Sequence, residues 1–315
     1  MTIRVVVLDD YQHAAESRAD WSGALPEASV EFVAEHLVGD ELVARLSEVE
    51  IVVAMRERTA FPRELLERLT SLRLLVTTGM RNFSIDIEAA RELGILVCGT
   101  RSKPGTTAEL AWAHILGLMK NLPAEDSRMR AGGWQETVSG DLRGEMLGIV
   151  GLGSLGSKMA AIGAAFGMEV VAWSPNLTAE RAAQGGARLV DKRELFSESR
   201  VVTLHLVLSE ATRHVVAEPE LRAMRPDSIL VNTARAGLID ESALRTALEG
   251  RWIAGFGVDV YDAEPLPADH WLRSSESTLL TPHLGYVTDQ NYRVFFGDAV
   301  EDIRGYLDGK PSRVL

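Results

Sequence analysis

Leu147-Gly148-Ile149-Val150-Gly151-Leu152-Gly153-Ser154-Leu155-Gly156 passes from strand-forming residues through three spaced glycines into a helix-forming run, Ser157 to Phe166. A strand, a glycine turn and a helix in that order make the Rossmann fingerprint. The first glycine permits a tight turn, the second lets a pyrophosphate approach the backbone, and the third lets helix and strand pack closely. The N-terminus of the helix then offers N–H groups to the anion. Gly151, Gly153, Ser154, Leu155 and Gly156 are therefore the expected cofactor-binding residues.

The flanking sequence has matching periodicity. Short β-branched runs at Leu147–Val150, Glu169–Trp173, Val201–Leu206, Ser228–Val231 and Ile253–Val258 alternate with helix-favouring stretches. An earlier series, Ile3–Leu8, Val30–Val33, Ile51–Val53, Leu72–Thr77 and Ile95–Val97, does the same. Alternation of this kind predicts two doubly wound parallel sheets. Between the series, Pro104 to Leu122 is apolar on more than one face and predicts a buried connecting helix. Asp289 to Leu307 is amphipathic with no strand series after it, so it is expected to pack back on the first domain. The expected division is a substrate domain of residues 1–100 and 285–315 and a dinucleotide domain of residues 101–284.

A nicotinamide enzyme with this turn normally ends its second strand in an acid that holds the ribose hydroxyls. Here Glu169–Trp173 runs into Ser174-Pro175-Asn176. Without the acid, Ser174, Asn176 or Arg181 can donate to a 2′-phosphate, or Ser174 can simply cap a turn. The choice between NAD and NADP stays open.

The chain has 315 residues, 46% of them hydrophobic, and a formal net charge of −12, with an isoelectric point near 5.2. That charge repels polyanions, so nucleic acid is not an expected partner. No apolar run reaches the roughly 20 residues a membrane helix needs, so no membrane association is expected. The first ten residues have two acids behind a short apolar run, unlike a signal peptide. A single cysteine, Cys98, excludes an intrachain disulfide and fits a reducing compartment; the cytoplasm is the expected location. Cys98 itself reads as a small buried side chain. His13, His36, His114, His214 and His270 show no matching partners and read as structural or solvent-facing. No cluster has metal-ligand spacing.

Three strand ends carry chemistry. Leu230-Val-Asn-Thr-Ala-Arg-Ala-Gly237 places Arg235 after a buried strand, at the end where ligands bind in open α/β sheets. Gly257-Val-Asp-Val-Tyr-Asp-Ala-Glu-Pro265 places Asp259 and Glu264 likewise, and Leu280-Thr-Pro-His-Leu-Gly285 sets His283 beside a proline-fixed turn. A histidine near its neutral pKa serves as base for a hydroxyl or acid for a carbonyl. A carboxylate on its far nitrogen orients it and raises its pKa, and a guanidinium holds a carboxylate in a fixed plane.

With these motifs in this order, nearly the whole chain resembles the D-isomer-specific 2-hydroxyacid dehydrogenases, which include phosphoglycerate dehydrogenase-like and glyoxylate or hydroxypyruvate reductase-like enzymes. The resemblance implies a Rossmann cofactor domain inserted into a flavodoxin-like substrate domain. It implies hydride transfer between NAD(P)H and a small 2-oxo or 2-hydroxy acid, with Arg235, Glu264 and His283 catalytic. It also implies cofactor contacts at Thr107, Ser174, His205 and Ala234, and at Asp259 through the nicotinamide carboxamide; for His205 the alternative is plain packing at a domain seam. In the first domain, Thr77-Thr-Gly-Met-Arg-Asn82 resembles the loop whose backbone N–H groups hold the substrate carboxylate, which makes Gly79 and Met80 the donors. Arg56 aligns with residues that reach the substrate in phosphoglycerate dehydrogenase-like members. The family more often has a second glycine and an acid where Met80, Arg81 and Phe83 stand, and proline where Val207 stands. A homodimer formed around Pro104–Leu122 and a loop at Arg128–Asp141 is the implied assembly. Formate dehydrogenase, which pairs its histidine with glutamine, is disfavoured by Glu264. D-3-Phosphoglycerate dehydrogenase and a non-catalytic dinucleotide-sensing protein on the same fold are the alternatives.

Overall fold

The computed structural model describes residues 2–315. They form two compact units, one of residues up to Pro104 together with Val287–Leu315, the other Gly105–Tyr286.

In the first unit β1 (Ile3–Val7), β2 (Ala28–Phe32), β3 (Ile51–Ala54), β4 (Leu74–Thr77) and β5 (Leu96–Gly99) form one parallel sheet in the order β2-β1-β3-β4-β5. This is the flavodoxin-like order. Ile51–Ala54 and Leu74–Thr77 are buried at every position, because helices cover both faces of a parallel sheet; a near-continuous apolar run replaces polar alternation. The helix Asp289–Leu307 belongs to this unit and buries Tyr292, Phe295, Phe296 and Ile303. Arg101 ties it down, donating to the Asp298 carboxylate from its backbone N (2.8 Å), Nε (3.0 Å) and Nη2 (2.6 Å). Leu315 N donates to Val97 O at 2.9 Å, which anchors the chain's last residue beside β5.

The second unit has seven parallel strands: β6 (Met146–Val150), β7 (Glu169–Trp173), β8 (Arg188–Leu189), β9 (Val201–Leu204), β10 (Ile229–Asn232), β11 (Gly255–Val258) and β12 (Thr278–Leu280). Their order, β12-β11-β10-β9-β6-β7-β8, reverses between β6 and β9. That reversal is the topological switch point, where doubly wound sheets bind ligands. The helix Thr106–Met119 buries Ala108, Ala111, Trp112, His114, Ile115, Gly117 and Met119 on several faces. The segment expected as a loop from Arg128 instead begins inside a second helix, Leu122–Arg130. Asn121 turns the chain through a left-handed conformation (φ 51°) and Pro123 opens that helix, where its missing N–H matters least. β8 and β12, two and three residues long, are too short to show periodicity in sequence.

Candidate active site

The glycine turn is shaped by three different constraints. Gly151 has φ +100°, and a Cβ there would meet the His205 backbone at 2.8 Å, since the loops after β6 and β9 touch at the switch point. Gly156 lies so close to Gly151 O that a Cβ would come within 2.2 Å. Gly153, by contrast, has nothing within 4 Å of a Cβ position, and no side chain caps the helix Ser154–Ala165 that it opens. An open glycine at an uncapped helix N-terminus fits a pyrophosphate, so the residues present suit a nicotinamide dinucleotide.

His205 hydrogen-bonds through Nε2 to Thr203 Oγ1 at 2.9 Å, while its Nδ1 is buried without a partner. Burial pushes its pKa down to about 4, so the ring is neutral. An orphaned ring nitrogen at the switch point matches a ligand contact better than plain packing does. At the end of β7 the carbonyl of Ser174, rather than its hydroxyl, closes a turn by accepting from Leu177 N at 3.2 Å. Thr178 caps the following helix, and Arg181 Nη1 donates to Asn176 O at 3.3 Å.

The strand ends that follow place the catalytic candidates. Asn232, buried at the end of β10, staples the next turn: its Oδ1 accepts from Ala234 N at 3.0 Å and its Nδ2 donates to Arg235 O at 2.9 Å. Arg235 Nη1 donates to Ala234 O at 2.7 Å. Glu264 Oε1 accepts from Tyr261 N at 2.9 Å, and its Oε2 lies 2.7 Å from His283 Nδ1. Burial pushes the Glu264 carboxyl up, but the His283 hydrogen bond and charge, the Tyr261 N–H and Arg235 outweigh it and hold the pKa below the usual range. With Nδ1 engaged, Nε2 is the ring nitrogen left for proton exchange. Tyr286 packs edge-on against the imidazole, ring centroids 5.3 Å apart.

His283 itself sits at φ +52°, a left-handed conformation that costs a non-glycine residue about 1–2 kcal/mol. Asp259 clamps it. Its Oδ1 accepts from Thr281 Oγ1 (2.6 Å) and Leu284 N (2.7 Å), and its Oδ2 from Gly285 N (2.9 Å), so one carboxylate bonds both sides of the histidine. Asp259 is fully buried, and these three bonds make it the anchor of the turn that carries His283. Thr107, expected to line the cofactor site, donates to Gly285 O at 3.1 Å and holds the far end of the same turn. Tyr261 donates to Thr281 O at 2.9 Å. Asn232, Tyr261 and Thr281 were not singled out from sequence; their bonds are set by tertiary placement, and no spacing signals them.

In the first unit Arg56, Gly79 and Met80 come together. Arg56 has φ +54°, donates from its backbone N to Thr78 Oγ1 at 2.9 Å and from Nη1 to Thr78 O at 3.2 Å, and accepts at its carbonyl from Asn82 Nδ2 at 2.6 Å. Its guanidinium lies across Gly79, where a Cβ would come within 1.8 Å of Nη1. Gly79 N donates to Thr100 Oγ1 at 2.8 Å. Met80 and Phe83 are exposed, at 45% and 77%.

Three of the remaining histidines have side-chain partners. His36 pairs with Asp9 at 2.9 Å and His270 with Glu241 at 3.1 Å. His114, buried in the helix Thr106–Met119, bonds Thr281 Oγ1 at 2.9 Å. Cys98 is buried and its thiol is pushed up to about 12, chiefly by burial. Among the described residues no group of three or more His, Cys, Asp or Glu is placed to hold a metal ion, and no helix is long and apolar enough to cross a membrane.

Residues 112–285 match the family model described as the D-isomer specific 2-hydroxyacid dehydrogenase NAD binding domain. A glyoxylate reductase of Aeropyrum pernix is 35% identical over 260 residues, covering 78% of this chain and 77% of that protein. A D-3-phosphoglycerate dehydrogenase of Synechocystis is 34% identical over 281 residues, 85% of this chain and 50% of that protein; this chain thus spans about half of that longer relative. The crystal structure of a phosphoglycerate oxidoreductase from Vibrio cholerae superposes with a TM-score of 0.92 at 33% identity, covering 98% of this chain and 100% of that one.

Proposed function

Because the chain belongs to the D-isomer-specific 2-hydroxyacid dehydrogenases, NAD(P)-dependent oxidoreductases, we propose that it reduces short 2-oxo acids of the glyoxylate or hydroxypyruvate type. The observation that carries this is the His283 Nδ1 to Glu264 Oε2 contact of 2.7 Å. It fixes the imidazole with Nε2 outward and provides a counter-charge for the protonated ring, the state a carbonyl reductase needs at the start of each turnover. In the proposed mechanism Arg235 holds the substrate carboxylate and polarises the neighbouring carbonyl. His283 Nε2 gives its proton to the carbonyl oxygen, and Glu264 stabilises the imidazolium before that transfer. The reduced nicotinamide, when bound at the glycine turn, supplies the hydride to the carbonyl carbon.

Arg56 favours a second substrate reading. A guanidinium lying on the Gly79 loop adds positive charge next to the carboxylate donor, which suits an acid with another anionic group, as in 3-phosphoglycerate. The tests are initial rates of NADH and NADPH oxidation with glyoxylate, hydroxypyruvate, pyruvate and phenylpyruvate, and of NAD(P) reduction with 3-phosphoglycerate. Replacement of His283 by Asn is expected to lower turnover by about 10² or more with cofactor binding retained. Cofactor binding with no turnover on any acid would favour the sensing role instead.

We further propose a homodimer in which a second copy covers Leu122, Met129, Trp134 and Val138. These stand 54%, 52%, 68% and 98% exposed along one segment, and the helix Leu122–Arg130 buries none of its own residues. Val138→Asp with Trp134→Asp should shift the protein to a monomer in sedimentation. The buried, single cysteine fits the proposed cytoplasmic location.

A further inference from the structure

We propose that His114 is a positioning residue for His283, acting through Thr281 and Asp259; the inference rests on the acid/base reading of His283 given above. The chain runs from His114 Nε2 to Thr281 Oγ1 (2.9 Å), from Thr281 Oγ1 to Asp259 Oδ1 (2.6 Å), and from the Asp259 carboxylate to Leu284 N (2.7 Å) and Gly285 N (2.9 Å). Its proton order is determined. A carboxylate only accepts, so the single Thr281 hydroxyl proton points to Asp259 and the Thr281 oxygen must accept from His114. His114 is therefore the Nε2–H tautomer. Its Nδ1 is buried without a partner, so a second proton would have no acceptor there, and burial pushes the pKa of the ring down to about 4.

Packing selects the same pose. A Cβ on Gly257 of β11 would stand 3.0 Å from His114 Cβ and Nδ1, so the strand has a glycine where the ring lies flat. His114 thus fixes the direction of the Thr281 hydroxyl, the hydroxyl fixes one oxygen of Asp259, and Asp259 holds the backbone on both sides of a histidine that occupies φ +52°. Loosening the first bond lets the imidazole drift from its productive angle without removing any group that touches substrate.

The test is His114→Leu beside His114→Gln. Leucine fills the space without a donor; glutamine presents an amide N–H near the position of Nε2. His114→Leu is expected to lower kcat about three- to tenfold, the rate equivalent of one hydrogen bond, with the Kd for NADH measured by fluorescence quenching unchanged. His114→Gln is expected to recover kcat to within about twofold, a rescue that filling space would not give. Wild-type kcat in His114→Leu, equal losses in both variants, or a loss confined to cofactor affinity would each overturn the proposal. If His114→Leu does not fold, Thr281→Ser against Thr281→Val makes the same comparison one bond along: Ser should retain kcat and Val should lose it, and equal kcat in the two would overturn the chain. His283→Asn, run in parallel, separates the premises. Intact turnover there removes the acid/base reading itself, whereas lost turnover there with unaffected His114→Leu removes only the positioning chain.

Discussion

Burying His114 as a neutral ring has a measurable acid penalty. Its pKa falls from 6.5 to about 4 because burial disfavours the charged form, and the residue is 1% exposed, so solvent does not screen the effect. The folded pKa is depressed, so between pH 6.5 and 4 the unfolded chain binds a proton that the folded chain does not. Stability is then lost as pH falls, by about 1.4 kcal/mol per pH unit for this one group. From pH 7.5 to pH 5 the loss is about 2 kcal/mol. His114→Leu lacks the group. At pH 7.5 it should be about 1 kcal/mol less stable than wild type through the lost bond to Thr281; at pH 5 the order should reverse by about 1 kcal/mol. Urea unfolding followed by tryptophan fluorescence measures this, and five of the six tryptophans, Trp112, Trp134, Trp173, Trp252 and Trp271, lie in the second unit with His114. A difference between the two proteins that is the same at pH 7.5 and pH 5 would refute the buried, neutral state of the ring.

The glycine turn separates fold from ligand. Gly153→Ala meets no atom and should keep the wild-type melting temperature while weakening NADH binding by about tenfold or more, because the methyl occupies the pyrophosphate approach; Gly156→Ala, facing Gly151 O, should lose about 1–3 kcal/mol of stability. Ser174→Asp restores the acid at the end of β7 and should raise the NADH over NADPH ratio of kcat/KM by about tenfold; an unchanged ratio would place the choice of cofactor elsewhere. Cys98, buried with its thiol pushed up to about 12, should react with a disulfide reagent at pH 8 at least about 10³-fold more slowly than a free thiol until the protein unfolds.

The glycine turn, the parallel sheets and the placement of Arg235, Glu264 and His283 after strands were legible because each rests on local pattern: glycine spacing, β-branched runs, and short motifs directly after strands. What escaped depends on contacts between distant residues. His114 and Thr281 are 167 positions apart, and nothing around His114 in sequence distinguishes it from any apolar helix residue. Asp259 stands legibly at a strand end, but its bonds to Thr281, Leu284 and Gly285 span 22, 25 and 26 positions and leave no local signal. The bond from Gly79 N to Thr100 Oγ1, 21 residues on, has no local signal either. Burial and hydrogen-bond direction belong to the packed molecule.

The discontinuity of the first unit sets an order on synthesis. Its five strands are complete by Gly99, yet the helix Asp289–Leu307, which lies against β4 and helps cover the sheet, follows only after the whole second unit. At about 5–20 residues per second the ribosome needs roughly 10 to 40 s to add the intervening and closing segments. Throughout that interval the second unit emerges as one uninterrupted stretch and can fold as it appears, while the earlier strands keep an apolar surface open to water and to neighbouring nascent chains. The first-made strands are thus where co-translational chaperones would be expected to dwell.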